Sequence, residues 1–278
     1  MKKYNAVIFD LFDTIVNFNF NHLPEIVLKG FRSRTTSTEV YDVFKRYYPK
    51  VGFGDFYKSF IDSYHEFQEL KLKEFREFPN RERFRIMLLK MDIGPLENQN
   101  VLEDEMVLAH MNALVSCVEF PEENRKTLEY VRAKGYKTAI VSNFDYGPTA
   151  YNLIYKLGIR SLVDEIIISC DVGWRKPKAI IFQSAIDKLD IKPEEALFVG
   201  DNFGADVVGS KSMGMDAAWI NINSQPEENL IPEPEFIVKR LSDLVDIIQF
   251  RNALNILYVI YCHMLYNYDS SPFLILIR

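Results

Sequence analysis

Residues able to attack, hold or neutralise a phosphoryl group fall in four clusters along this chain: Asp10 with Asp13, Ser142 with Asn143, Lys176, and Asp201 with Asp206. A carboxylate such as Asp10 can act as a nucleophile and form an aspartyl-phosphate. Ser142 and Asn143 stand just ahead of a helical pattern, where free backbone N–H groups favour an anion. Lys176 can neutralise phosphate charge and hold Asp10. Asp201 and Asp206 add two more carboxylates, and so many acids in one pocket repel unless a cation sits among them. Oxygen ligands, several waters and a phosphate partner describe Mg²⁺. Singly, each signal is ordinary: an Asp after a strand often only caps a helix, Ser-Asn is common turn chemistry, and Lys176-Pro177 fits a loop. The order and spacing of all four clusters carry the functional reading.

The elements that must position these groups are legible as short apolar runs. Ala6 to Phe9, Thr138 to Val141, Glu165 to Ser169, Ala196 to Val199 and Ala217 to Ile220 read as buried parallel strands. Helical patterns separate them: one opens on Pro121-Glu122-Glu123 and stops at Gly135, and others cover Thr149 to Lys156, Ala179 to Leu189, Ala205 to Met213 and Leu241 to Gln249. Alternating strand and helix predicts an α/β fold, a doubly wound parallel sheet. All four clusters then lie at the carboxyl ends of strands, the edge where ligands bind in open α/β sheets. Over a hundred residues separate the first strand from the second. They read as helix after helix, with a capping box at Thr36 and Glu39 and a long amphipathic stretch from Asp55 to Phe75. The organisation expected is a Rossmann-like catalytic core from residues 1–16 and 118–249, an inserted all-helical cap at 17–117, and an apolar C-terminal extension at 250–278.

Bulk properties narrow the class. The 278 residues are 48% hydrophobic and 26% charged, a globular balance with ample length for a core. The net charge of -6 gives no electrostatic footprint for nucleic acid. The basic run from Lys71 to Arg76 is broken by Leu72, Glu74 and Phe75 and reads as a solvated helix face. Cys117, Cys170 and Cys262 form no C-x-x-C pair, so neither a zinc knuckle nor a disulfide framework is expected. That usage fits a reducing, cytoplasmic setting. The apolar stretch from Ala253 to Tyr266 is too short for a membrane span and contains Asn255 and His263. It reads as a packed helix or a dimer surface, so a monomer or a homodimer is expected, with a small molecule as substrate.

Phe9-Asp10-Leu11-Phe12-Asp13-Thr14, Val141-Ser142-Asn143, Lys176-Pro177 and Val199-Gly200-Asp201-Asn202 with Asp206 and Gly209 together resemble the haloacid dehalogenase-like superfamily of hydrolases, in its helical-cap branch. The resemblance implies that Asp10 is both nucleophile and metal ligand, and that the Phe12 backbone carbonyl and the Asp201 carboxylate also bind Mg²⁺. It implies that Asp206 supports the metal, Ser142 binds the phosphoryl group and Lys176 stabilises it. The cap, with the loop around Gly173-Trp174-Arg175, would set specificity. One departure stands out. Phosphatases of this family usually carry an acid two residues after the nucleophile to protonate the leaving group, and here that residue is Phe12. Such help is typically worth roughly 10²–10⁴-fold. The first expectation is a phosphatase acting on a small phosphorylated metabolite. A carbon–halogen hydrolase, whose halide leaves without a proton, and a binding or scaffold protein with weakened turnover are the alternatives.

Overall fold

The computed structural model describes residues 4–249 except residues 29, 95 and 223. The apolar extension expected at 250–278 lies outside the described residues.

Strand β1 (Ala6–Phe9) runs into the first cluster, and β2 (Asn17–Phe18) leaves the core. The insertion then holds β3 (Glu25–Leu28), β4 (Phe31–Arg34), α1 (Ser37–Tyr47), α2 (Phe53–Glu74), α3 (Asn80–Lys90) and α4 (Gln99–Val115). The chain returns through β5 (Val118–Glu119), which pairs antiparallel with β2. The core continues with α5 (Glu122–Ala133), β6 (Lys137–Ser142), α6 (Gly147–Lys156), β7 (Glu165–Ile168), α7 (Ser169–Val172), α8 (Ala179–Leu189), β8 (Ala196–Gly200), α9 (Val208–Ser212), β9 (Asp216–Ile220) and β10 (Phe236–Val238).

The main sheet has the order β10-β9-β8-β1-β6-β7 with every pair parallel. All four residues of β1 are buried, because helices cover both faces of the sheet. Val7 and Phe9 face Leu128 and Val131 of α5, whereas Ala6 and Ile8 face Ile181 and Phe182 of α8. That split follows from the two-residue period of a strand. From β1 the chain steps outward to β6 and β7, then crosses back to β8, β9 and β10. The reversal of direction beside β1 opens a crevice at the carboxyl edge, directly beyond Phe9.

Several local expectations need correction. The insertion is not helical throughout: β3 and β4 form a hairpin, with Ile26 opposite Ser33 and Leu28 opposite Phe31. The Ile26-Val27-Leu28 run favours a strand, and Gly30 supplies the turn with φ of 82°. Thr36 precedes α1 but makes no capping box; its hydroxyl lies 2.7 Å from His110 Nδ1, and the Ser37 N–H donates instead to Thr35 Oγ1. Lys71 does not belong to a solvated face, since it is 2% exposed. The helix expected from Ala205 begins as a wider π turn, Phe203–Val207, before α9. Strand β10 is an addition: three residues at a sheet edge leave little trace in apolar periodicity.

Candidate active site

Asp10 follows β1 directly, and its N–H donates to the Val199 carbonyl at 2.9 Å, which fixes it between the ends of β1 and β8. Lys176 Nζ lies 2.5 Å from Asp10 Oδ1 and 2.7 Å from Asp206 Oδ1. Both Lys176 and Asp206 are buried. One donor atom from each of Asp10, Asp201 and Asp206 falls within 4.8 Å of the others. Gly200 makes this approach possible: a Cβ there would stand 2.3 Å from Asp206 Oδ2. Asp206 also accepts the Asn202 N–H at 2.9 Å, so one carboxylate ties the loop after β8 to the lysine.

The electrostatics follow from crowding. Burial pushes the Asp10 carboxyl up to about 6, with Asp206 adding to the rise and Lys176 opposing it. Burial and then the charges of Asp10, Asp206 and Asp13 push Asp201 up to about 8. Burial works against the Lys176 charge, but Asp10 and Asp206 outweigh it and hold the ammonium above its ordinary range. With one lysine against three carboxylates, the site is short of positive charge. A hard divalent cation with oxygen ligands would relieve that repulsion.

On the other side of Asp10, the Ser142 hydroxyl is buried at the end of β6 and has no hydrogen-bond partner among the described residues. Such a donor is left for a ligand or water. The Asn143 side chain has a task besides the anion binding expected at this position. Its Oδ1 accepts the Lys176 N–H at 2.8 Å and its Nδ2 donates to the Lys176 carbonyl at 3.2 Å, so it holds the lysine's backbone. Asp13 sits in the left-handed region with φ of 58°, and its carboxylate accepts the Phe18 N–H at 3.2 Å. It therefore closes the turn into β2. The Phe12 ring stacks on Phe144 with centroids 5.0 Å apart and on Phe18 at 4.9 Å. Phe12 thus sits inside an aromatic row that runs from Phe144 through Phe18 to Phe20. A cavity of about 230 Å³ adjoins Asp201 and extends past Phe203 to Asn221 and Gln225, over the carboxyl end of β9.

Some positions escaped sequence reasoning. Trp219 donates from its indole N–H to the Asp201 carbonyl at 2.9 Å, steadying the loop that carries the acid. Glu77, from the insertion, lies against Arg175 at 2.6 Å, one residue before Lys176. No motif announces a contact across 98 residues of sequence.

A family model of the haloacid dehalogenase-like hydrolases matches residues 4–214. The chain belongs to this family. Among haloacid dehalogenase-like relatives, a glyceraldehyde 3-phosphate phosphatase of Pyrococcus furiosus is 26% identical over 257 residues, 91% of this chain and 96% of the relative. The pyrophosphatase PpaX of Bacillus cereus is 28% identical over 262 residues, covering 90% and 99%. A 2-haloacid dehalogenase from Pseudomonas syringae shares the fold, with a TM-score of 0.67 and 20% identity over 88% of this chain and 98% of its own. The chain is thus a hydrolase with the doubly wound core of this family. Among the described residues, no helix is long and apolar enough to cross a membrane.

Proposed function

We propose that this hydrolase is a magnesium-dependent phosphatase acting on a small phosphorylated molecule through covalent catalysis by Asp10. The observation that carries the reading is the buried Asp10–Lys176–Asp206 chain beside Asp201 and the unpartnered Ser142 hydroxyl. An Asp10 oxygen attacks phosphorus, the bond to the leaving group breaks, and the phosphoryl group rests on Asp10 until water displaces it as inorganic phosphate. The Ser142 hydroxyl donates to a phosphoryl oxygen, and Lys176 offsets the charge shared by nucleophile and phosphoryl group. Asp10, Asp201 and the Phe12 carbonyl would hold Mg²⁺, with Asp206 in support, and the ion would supply charge neutralisation for the phosphoryl oxygens.

The leaving group receives no proton from position 12, and the Asp13 carboxylate is committed to Phe18. Groups already stable as anions are therefore favoured: aryl, acyl and phosphoryl leaving groups over sugar or alkyl alkoxides. On this ground pyrophosphate-like and acyl phosphate substrates suit the site better than a simple sugar phosphate. A series of phosphate esters with graded leaving groups, measured with Mg²⁺ and with EDTA, tests the reading. Expected are a steep dependence on leaving-group pKa, loss of turnover in chelator with recovery on adding Mg²⁺, and no turnover in Asp10→Asn. Turnover by Asp10→Asn near the wild-type rate would sink the covalent route. Halide release from a 2-haloacid in EDTA would favour the carbon–halogen alternative, which Phe12 permits and the acidic cluster disfavours.

A further inference from the structure

We infer that Glu77, supplied by the insertion, is a positioning residue that sets the two loops carrying Lys176 and Ser142; the inference rests on the phosphatase reading. The segment between α2 and α3 does not merely pass over the core. It runs antiparallel to the loop before Lys176: Arg76 bridges Trp174, the Glu77 N–H donates to the Gly173 carbonyl at 3.0 Å, and the Arg175 N–H donates to the Phe75 carbonyl at 2.8 Å. At the centre of this contact the Glu77 side chain is 1% exposed.

Its carboxylate reaches both loops. Oε2 accepts from Arg175 Nη1 at 2.6 Å and from the Ser169 hydroxyl at 2.5 Å. The Ser169 oxygen in turn accepts the Phe144 N–H at 2.8 Å, two residues past Ser142. Lys71 Nζ lies 3.2 Å from Glu77 Oε1 and 2.5 Å from Asp145 Oδ2. Asn80 adds a side-chain bond to Asp145 at 3.1 Å and a backbone bond at 3.2 Å. Burial opposes the Asp145 charge, yet Lys71 and the hydrogen bonds from Lys71 and Asn80 hold that carboxyl below its ordinary range. Glu77 and Asp145 thus balance Lys71 and Arg175, with Lys71 and Glu77 buried and Arg175 and Asp145 half-buried at the edge of the set.

A neutral side chain at position 77 cannot replace this carboxylate. Arg175 and Lys71 would each lose a counter-charge, and the Ser169 hydroxyl would exchange a charged acceptor for a neutral one or turn to the Phe144 carbonyl at 3.2 Å. The backbone bonds between the two segments would remain, but the loops before Lys176 and after Ser142 would lose the carboxylate that joins them. Because Glu77 belongs to the insertion, that segment contributes a carboxylate to the setting of both loops.

The test uses the full chain, Mg²⁺, p-nitrophenyl phosphate turnover and inhibition by orthovanadate, a phosphoryl mimic that needs no turnover. Measurements are made well below each variant's melting temperature. For Glu77→Gln the expected outcome is a fall in kcat and a weakening of vanadate binding, each by roughly 10- to 100-fold, with KM for the ester changing little, as displaced reacting groups produce. A purely structural Glu77 would lower the melting temperature and leave both readouts at wild-type values in the folded protein; that result would overturn the inference. Should Glu77→Gln not fold, Ser169→Ala and Arg175→Gln each cut one arm of the contact and carry the same expectation, and wild-type kcat and vanadate inhibition in both would overturn it equally. A wild-type chain that neither binds vanadate nor turns over the ester would overturn the phosphatase reading itself and the inference with it.

Discussion

Asp201 is the carboxylate most burdened by its surroundings, since burial and the nearby charges of Asp10 and Asp206 all disfavour its ionised form. A carboxyl whose folded pKa lies above its unfolded value stabilises the fold while protonated. The metal-free protein should therefore lose stability as pH rises through about 6, where Asp10 ionises, and about 8, where Asp201 does. In EDTA, Asp201→Asn should melt higher than wild type, by a margin that is small below pH 4 and grows with pH to on the order of 1 kcal/mol or more at pH 8. Adding Mg²⁺ should raise the wild-type melting temperature and barely move the variant. Melting curves over pH with and without Mg²⁺ check this, and a wild type insensitive to Mg²⁺ would refute the shared site. Phe12→Asp makes the complementary point. It should raise alkyl phosphate turnover more than aryl, with a ceiling of roughly 10²–10⁴-fold. It should also cost on the order of 1–3 kcal/mol of stability, because stacking on Phe18 and Phe144 is lost. At this scale the sequence made Asp10, Lys176, Asp201 and Asp206 legible, because each directly follows or closely trails a strand. It could not reveal that Asn143 serves the Lys176 backbone or that Lys71 is buried, since both depend on partners far along the chain.

Helix α9 shows how an element's seat governs the site. Gly209 lies against the Phe182 ring of α8, where an added Cβ would approach to 2.6 Å, and against Pro177 Cα at 3.0 Å. Gly209→Ala should therefore push α9 away from α8, at a cost of typically about 1–3 kcal/mol. The same displacement drags Asp206, which precedes α9, away from Lys176, so kcat should fall along with the melting temperature. A variant of lowered stability and unchanged kcat would show that the loop after β8 is decoupled from α9. The core strands were readable because burial on both faces makes each an apolar run. The β3–β4 hairpin was not, since its strands alternate apolar and polar residues weakly and expose Val27 and Phe31. Strand β10 is three residues long, below what periodicity can register.

Over the whole molecule, every group given a part in the chemistry lies between Asp10 and Asp206, and the supporting Trp219 and the adjoining cavity end by Gln225. Removing residues 250–278 should leave kcat and Mg²⁺ dependence near wild type, whatever it does to solubility or association. A truncated chain that is folded but inactive would contradict this.

The sheet order carries one more consequence, for assembly. The half built from β6 and β7 and the half built from β8, β9 and β10 share no strand pairing; β1 alone joins them. Its partners are remote, Ala6 standing opposite Lys137 on one side and Ala196 on the other. Loop closure over such distances is slow, whereas the α1–α4 helices can form from local contacts. During synthesis the nucleophile's strand has no partner until β6 is made, roughly 130 residues later, and its second edge waits for β8, nearly 190 residues on. In a refolding experiment with pulsed hydrogen exchange, the amides of Val7 to Phe9 should gain protection together with those of β8 and later than those of α2.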